Sequence, residues 1–411
     1  MDGETHILPM ERWKFVCYAG LAFFLFPLRN LRKIKTKPER ILIVPIMTRV
    51  GDLVCVTVTF RAIKEAYPKA HLSVLVGKKV IDLIRSNERI DEIININDTP
   101  FKGFWGRGRF FRFIRSKHFD AVVSLTNNPF NNLVALYSFA PLRVKTIVAF
   151  RSRAERFTDS FNNHLLEYKT GEFLQDHYIR LLSFLNIPFK PPVKEVFVTA
   201  LGEKKADEFL QEHGLSNAPL RVGMSMSAGH TTKEWPREYF AELVTKLVET
   251  HKAKIIFIDS PSNRPRVEEV LNAVSAEVRS SVIIATIFSL AELPSVIKRF
   301  HAFISVDTGP IYIAHALKVP VIDIIGPVHP HDQPPEDERS FRLRHLPQCH
   351  RSFSCSGLRS KAHLRRRARP CMLVRYPWLW PLSMSCVGVV QSKPHTNYEN
   401  WTNQNMERAV Q

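Results

Sequence analysis

Apolar residues in this chain fall in short runs separated by stretches of helical periodicity. Ile41–Val44, Leu72–Val76, Glu92–Ile96 and Ala121–Leu125 have the length and apolar density of buried strands. Between them a loop (residues 45–51) leads into a helical pattern beginning near Asp52, and further helical patterns cover 78–86 and Phe110–Lys117. Residues 186–194, NIPFKPPVK, are proline-rich and read as a linker. The alternation then restarts. Arg221–Met226, Lys254–Asp259 and Val282–Ala285 are the next strands, with helices over 237–250, 263–274 and 290–299. The series closes on residues 302–327, AFISVDTGPIYIAHALKVPVIDIIGP, a strand, tight turn, short helix and second strand. Alternation of this kind predicts an α/β fold with parallel sheets. The restart predicts two Rossmann-like domains, residues 41–190 and 191–345, with a cleft at the carboxyl ends of their strands.

Two segments stand outside this rhythm. Phe15–Leu28, FVCYAGLAFFLFPL, carries no charge, and at fourteen residues it is short of the ~20 needed to span a bilayer. Arg29, Arg32, Lys33, Lys35 and Lys37 follow directly. Residues 1–40 therefore read either as a helix in the interface of an anionic membrane or as a helix packed on the protein's own surface. Acidic Asp2 and Glu4 and the lack of a small-residue cleavage site argue against a signal peptide. Beyond about residue 345 periodicity stops. The basic segment 346–411 reads as a shifted reading frame, a disordered extension, or a lipid-binding tail through Trp378 and Trp380.

Composition changes this picture in one respect. The formal net charge of +19 favours an acidic partner. Residues 341–411, however, hold twelve Lys/Arg against Glu399 and Glu407, about half of the excess, which weakens a nucleic-acid reading. The basic-aromatic stretch 101–117, FKGFWGRGRFFRFIRSK, reads as a helix with Phe inward and Arg outward, or as a surface for a phosphorylated lipid-linked acceptor or a membrane. Six cysteines without a CxxC pair point to a reducing compartment. Cys349, Cys355 and Cys371 fit no standard zinc spacing.

The candidate chemistry lies in three turns, each after a strand and before a helix. In Thr48-Arg49-Val50-Gly51-Asp52, Gly51 allows close backbone approach and Asp52 is either a general base at the cleft rim or a helix-terminus carboxylate. Ser227-Ala228-Gly229-His230-Thr231-Thr232-Lys233 offers small residues and a cation, which suits a phosphate, although the P-loop order is absent. In Asp307-Thr308-Gly309-Pro310, Gly309 permits the turn, Pro310 suits the first helical turn and Thr308 is a candidate cap. Strand, turn and helix start gather backbone N–H groups on an anion, so a phosphorylated ligand is expected here.

These residues carry a resemblance. ILIVPIMTRVGDLV with RAIKEAYPKAHLSVLVG, then SAGHTTKEWPREYFAEL, then LAELPSVIKRFHAFISVDTGPIYIAHALKVPVIDIIGP are similar to the heptosyltransferase-type family nine of glycosyltransferases. The resemblance covers residues 41–327 and implies the GT-B fold, with 41–190 on the acceptor side and 191–345 holding a nucleotide sugar. It implies inverting, metal-independent transfer of a sugar, heptose from ADP-heptose, to a lipopolysaccharide-type or related lipid-linked or phosphorylated glycan. Asp52 would be the base, with Arg49 and Gly51 beside the acceptor. Lys233 would stabilise the departing diphosphate, and Ser227, Gly229, Asp307, Thr308, Gly309 and Tyr312 would hold the donor with it. The family's usual histidine three residues after the glycine of the DTG motif is Tyr312 here, and its usual donor-side Glu after the 254–259 strand gives way to Asp259-Ser260-Pro261-Ser262-Asn263. No cofactor is implied beyond the donor. The place of work would be the cytoplasm, at the inner face of the inner membrane. The competing readings are another nucleotide-sugar enzyme such as an epimerase, and a degenerate protein that binds sugar nucleotides or polyanions without catalysis.

Overall fold

The structure, a computed structural model, describes residues 12–27, 32–46, 48–151, 153–169, 171–229, 233–326, 335, 339–345 and 387–389. The first half runs α1 (Arg12–Leu25), β1 (Arg40–Val44), α2 (Val50–Ala66), β2 (His71–Val76), α3 (Ile81–Ile84), β3 (Glu92–Asn95) and α4 (Gly103–Ser116). It continues with β4 (Ala121–Ser124), α5 (Pro129–Tyr137), β5 (Leu142–Ile147), α6 (Arg153–Asp159), β6 (His164–Glu167) and α7 (Leu174–Leu181). The second half runs α8 (Ala200–Glu212), β7 (Arg221–Ser225), α9 (Arg237–His251), β8 (Lys254–Phe257), α10 (Arg264–Asn272), α11 (Ala276–Arg279) and β9 (Val282–Ile284). It closes with α12 (Leu293–Ile297), β10 (Ala302–Val306), α13 (Gly309–Ala316), β11 (Val321–Ile325), β12 (Ser340–His345) and β13 (Val387–Val389).

The six strands of the first half form one parallel sheet in the order β3-β2-β1-β4-β5-β6. The second sheet, β13-β12-β11-β10-β7-β8-β9, repeats that order from β12 to β9, and only β13 is antiparallel. In each sheet the strand order reverses once, between β1 and β4 and between β7 and β10. An open parallel sheet binds ligands in the crevice at such a reversal.

The two sheets share a layer. One apolar cluster joins α2, α3 and α7 of the first sheet to α8, α12 and α13 of the second. A second cluster packs α1, α4 and α5 on the outer face of the first sheet, and a third packs α9 and α10 on the outer face of the second. The segment before α8 is fastened to the first half: Glu195 N–H donates to Thr57 Oγ1 at 2.9 Å, and its carboxylate pairs with Arg89 and Arg61.

Several elements differ from the sequence pattern. The helix expected over 110–117 begins at Gly103, with Phe110, Phe111 and Ile114 buried and Arg109, Arg112 and Arg115 outward. Arg107 breaks that rule: it is buried and donates to Ile96 O at 3.0 Å. The helix expected over 290–299 shrinks to Leu293–Ile297, because Pro294 belongs in a first turn and the preceding Glu292 side chain caps Ser289 N–H instead. Strands β5 and β6 were not anticipated, nor was β13, which lies in the segment expected to be irregular. The readings of Cys349, Cys355, Cys371, Trp378 and Trp380 lie outside the described residues.

Candidate active site

All three turns lie at carboxyl ends of strands that flank the reversal points. The loop after β1 leads into α2, the loop after β7 carries Ser227, Gly229 and Lys233, and β10 leads into α13. His230, Thr231 and Thr232 lie outside the described residues.

Two helix starts meet. A methyl group added to Gly51 would lie 2.9 Å from Tyr312 Cδ2 and 3.6 Å from Gly309 Cα. One added to Gly309 would lie 2.9 Å from Val50 Cβ and 3.5 Å from Gly51 N. Only glycine at both positions lets α2 and α13 abut at their N-termini, where each helix is electropositive. Two positive ends in contact favour negative charge nearby. Asp52, in the first turn of α2, and Asp307, at the end of β10, supply it. Asp52 is nearly buried. The residue at the N-cap position is Arg49, exposed and extended (φ −112°, ψ 127°), and its side chain makes no cap hydrogen bond. Asp52 therefore lies inside the first turn, not at the N-cap position.

Asp307 is the hub of the donor-side turn. Tyr312 donates its hydroxyl to Asp307 Oδ1 at 2.7 Å, and Lys233 Nζ donates to Oδ2 at 2.6 Å. Burial pushes the Tyr312 phenol well above its ordinary value, and the Asp307 charge adds to that effect. Thr308 occupies the cap position of α13 without making a cap hydrogen bond, contrary to expectation, so the first-turn N–H groups have no side-chain cap. Gly229 is exposed, and a methyl group there would meet nothing within 4 Å, so the protein's own packing does not demand glycine. Ser227 is buried, with Oγ making no hydrogen bond. Beside it Asp259 accepts from Met226 N–H at 3.0 Å and from Asn263 Nδ2 at 3.2 Å, while burial raises its pKa above the usual carboxylate range.

Sequence reasoning missed the charges behind these turns. Lys194 is buried, with Nζ 3.3 Å from His315 Nδ1 and 5.7 Å from the centre of the Tyr312 ring. Its signal was a lysine at the end of an apolar, proline-rich linker. Cys55, one turn after Asp52, is buried and its thiol is pushed up to about 12 by burial, with Asp52 and Asp307 adding to the shift and Lys194 opposing it. The two carboxylates thus act on one sulfur, so residues 255 apart in sequence share one electrostatic site. Asp323, in register with Ser305 and Arg342, is pushed well above the carboxylate range by burial and by Asp307. Among the described residues no three of His, Cys, Asp or Glu gather as a metal site.

This arrangement offers an anion cradle with one cation over it, and a carboxylate across from it at the start of the neighbouring helix. The family model described as "Glycosyltransferase family 9 (heptosyltransferase)" matches residues 107–359. The lipopolysaccharide core heptosyltransferase OpsX of Haemophilus influenzae is 25% identical over 289 residues, spanning 68% of this chain and 76% of that protein. A family 9 glycosyl transferase from Veillonella parvula superposes with a TM-score of 0.66 at 22% identity, covering 75% of this chain and 87% of its own. The ADP-heptose lipopolysaccharide heptosyltransferase II of Escherichia coli gives 0.62 at 19% identity, covering 74% and 89%.

Proposed function

Because the chain belongs to glycosyltransferase family 9 and is thus a sugar-transferring enzyme, we propose that it moves heptose from ADP-heptose, with inversion, to a lipopolysaccharide-type glycan acceptor. The names of its relatives support the sugar and the acceptor class. The observation that carries the mechanism is the contact of α2 with α13 through Gly51 and Gly309, which sets Asp52 beside the turn of Asp307.

In this reading the donor diphosphate lies on the uncapped N-terminus of α13, between Gly229 and Lys233. Asp52 takes the proton from the acceptor hydroxyl as that oxygen bonds to the anomeric carbon. The bond from this carbon to the diphosphate breaks, and its electron pair leaves with the diphosphate. Lys233 and the helix N-terminus stabilise the charge that develops there, which lowers the barrier without a divalent ion. Arg49, exposed at the rim, meets acceptor phosphate. Lys233 must exchange its bond to Asp307 for the incoming diphosphate, and Asp307 then accepts from donor hydroxyls. A lipid-anchored acceptor means that the cleft works beside the inner face of the inner membrane, in the cytoplasm.

The test is purified Asp52→Ala. It should be stabilised against heat by ADP-heptose as the parent protein is, and not by UDP- or GDP-sugars, yet transfer roughly 10²–10⁴-fold more slowly. Undiminished turnover would remove Asp52 as the base.

A further inference from the structure

The outer surface of α1 is unusual for a folded protein. Among the side chains of α1 that the structure describes, the exposed ones within the helix are at Trp13, Val16, Cys17, Gly20, Leu21 and Phe24, spaced three and four apart along one face. None of them is polar or charged. Exposure reaches 55% for Trp13, 67% for Val16, 52% for Leu21 and 75% for Phe24. The opposite face is anchored: Tyr18 and Ala22 are buried, Tyr18 donates to Phe104 O at 2.7 Å, and Tyr137 donates to Tyr18 O at 2.9 Å. An apolar helix face normally packs against apolar surroundings. Here the protein supplies one side.

Helix α4 extends this face. Trp13 stacks on Phe104 at 5.5 Å, and Trp105, 78% exposed, meets the same ring at 5.3 Å. Lys102, Arg109 and Arg112 are exposed on the turns around Trp105. An apolar stripe thus lies beside a row of cations with aromatic side chains between them.

We propose that this face is a docking surface for an anionic lipid bilayer, with α1 lying in the interface and the α4 cations on the headgroups. The inference rests on the transferase reading only for the identity of the acceptor brought near. Three observations select lipid as the occupant. The fourteen residues of α1 extend about 21 Å, shorter than a bilayer core of about 30 Å, so the helix lies along the surface. Tryptophan and cations border the stripe, as at a headgroup boundary. A stripe about 21 Å by 10 Å covers roughly 200 Å², far below the ~800 Å² per partner of a stable protein interface, so a second copy of the chain is a poor occupant. The aromatic path runs from Phe26 to the buried Phe161 (5.9 Å) and out again to the half-exposed Phe157 (5.7 Å) in α6.

Co-sedimentation of the full chain with phosphatidylglycerol/phosphatidylethanolamine vesicles, against phosphatidylcholine vesicles, tests this. The parent protein should bind the anionic vesicles at least about tenfold better and lose that preference in high salt. Val16→Glu with Phe24→Glu should reduce binding at least about tenfold while the melting temperature and transfer to a lipid-free acceptor stay unchanged. Arg109→Glu with Arg112→Glu should remove the preference for anionic over neutral lipid. Equal binding by the parent and both variants would overturn the proposal, as would a parent dimer in light scattering that Val16→Glu converts to monomer.

Discussion

The Tyr312 hydroxyl donates to Asp307 Oδ1 while the flank of the same ring closes over Gly51, so one side chain joins the donor-side turn to the helix that carries Asp52. Removing only the hydroxyl, in Tyr312→Phe, keeps that packing and leaves Asp307 held by Lys233 alone. We expect a donor KM raised about three- to tenfold with kcat little changed, the cost of one hydrogen bond. Lys233→Ala should act differently. Its effect falls on charge that develops in the transition state, so kcat should drop by roughly 10²–10³. Steady-state kinetics of the two variants separate these roles, and a KM effect alone in both would contradict the part given to Lys233.

Gly51 and Gly229 should respond oppositely to alanine. The Gly51 methyl meets the buried Tyr312 ring at 2.9 and 3.1 Å, and the bond to Asp307 keeps that ring from swinging away. Overpacking of this kind costs about 1–3 kcal/mol and should be read as a lower melting temperature. The Gly229 methyl meets nothing, so Gly229→Ala should leave stability unchanged or raise it by up to ~1 kcal/mol. Its donor KM should still rise several-fold, because the proposed diphosphate lies against that backbone. An unchanged KM would move the phosphates elsewhere.

The strand-turn-helix sites were legible because glycine, proline and a short polar run interrupt otherwise apolar patterns at Asp52, Lys233 and Asp307. The edge of the first sheet was not. Strand β5, LRVKTI, alternates apolar with basic residues, which reads as a half-solvated segment, yet Arg143 and Lys145 are wholly buried. Each basic side chain has a partner well removed in sequence: Arg143 donates to Phe161 O at 2.7 Å, besides the nearby Ala140 O, and Lys145 pairs with Asp159 at 2.6 Å. Lys194 escaped notice for the same reason, since its setting is made by His315, Tyr312 and Phe173. Local pattern identifies a turn and its glycine; the charge compensation behind it is set by tertiary contacts.

The buried Lys145–Asp159 pair, with Arg151 half-buried beside it, gives a strong stability prediction. Asp159 holds Lys145 at 2.6 Å through one oxygen and Arg151 at 2.8 Å through the other, and burial lowers the pKa of Lys145. Asp159→Ala strands a cation inside the first sheet and should cost about 3–5 kcal/mol in urea denaturation. Pairing it with Lys145→Met should recover most of that loss, because an apolar side chain needs no counter-charge. If the double variant were no more stable than the single one, a stranded charge would not be the cause.

His177 makes stability depend on pH. It is fully buried, its Nε2 lies 3.1 Å from Thr146 Oγ1, and Nδ1 makes no hydrogen bond. The nearest carboxylate oxygen, Glu172 Oε1 at 3.8 Å, is already paired with Arg180. Burial lowers the imidazole from an ordinary 6.5 to about 4. The unfolded chain therefore takes up a proton below pH 6.5 that the folded chain refuses until about pH 4. Stability is complete above the higher value and falls with acid through this window, by at most about 1.4 kcal/mol per pH unit from this group. Between pH 7 and pH 5 the loss should be about 2 kcal/mol. His177→Gln keeps a polar contact for Thr146 but has nothing to titrate, so its loss over the same interval should be smaller by that amount. Urea denaturation of both proteins at the two pH values measures the difference, and parallel losses would mean that the imidazole is protonated as readily in the folded protein as in the unfolded chain.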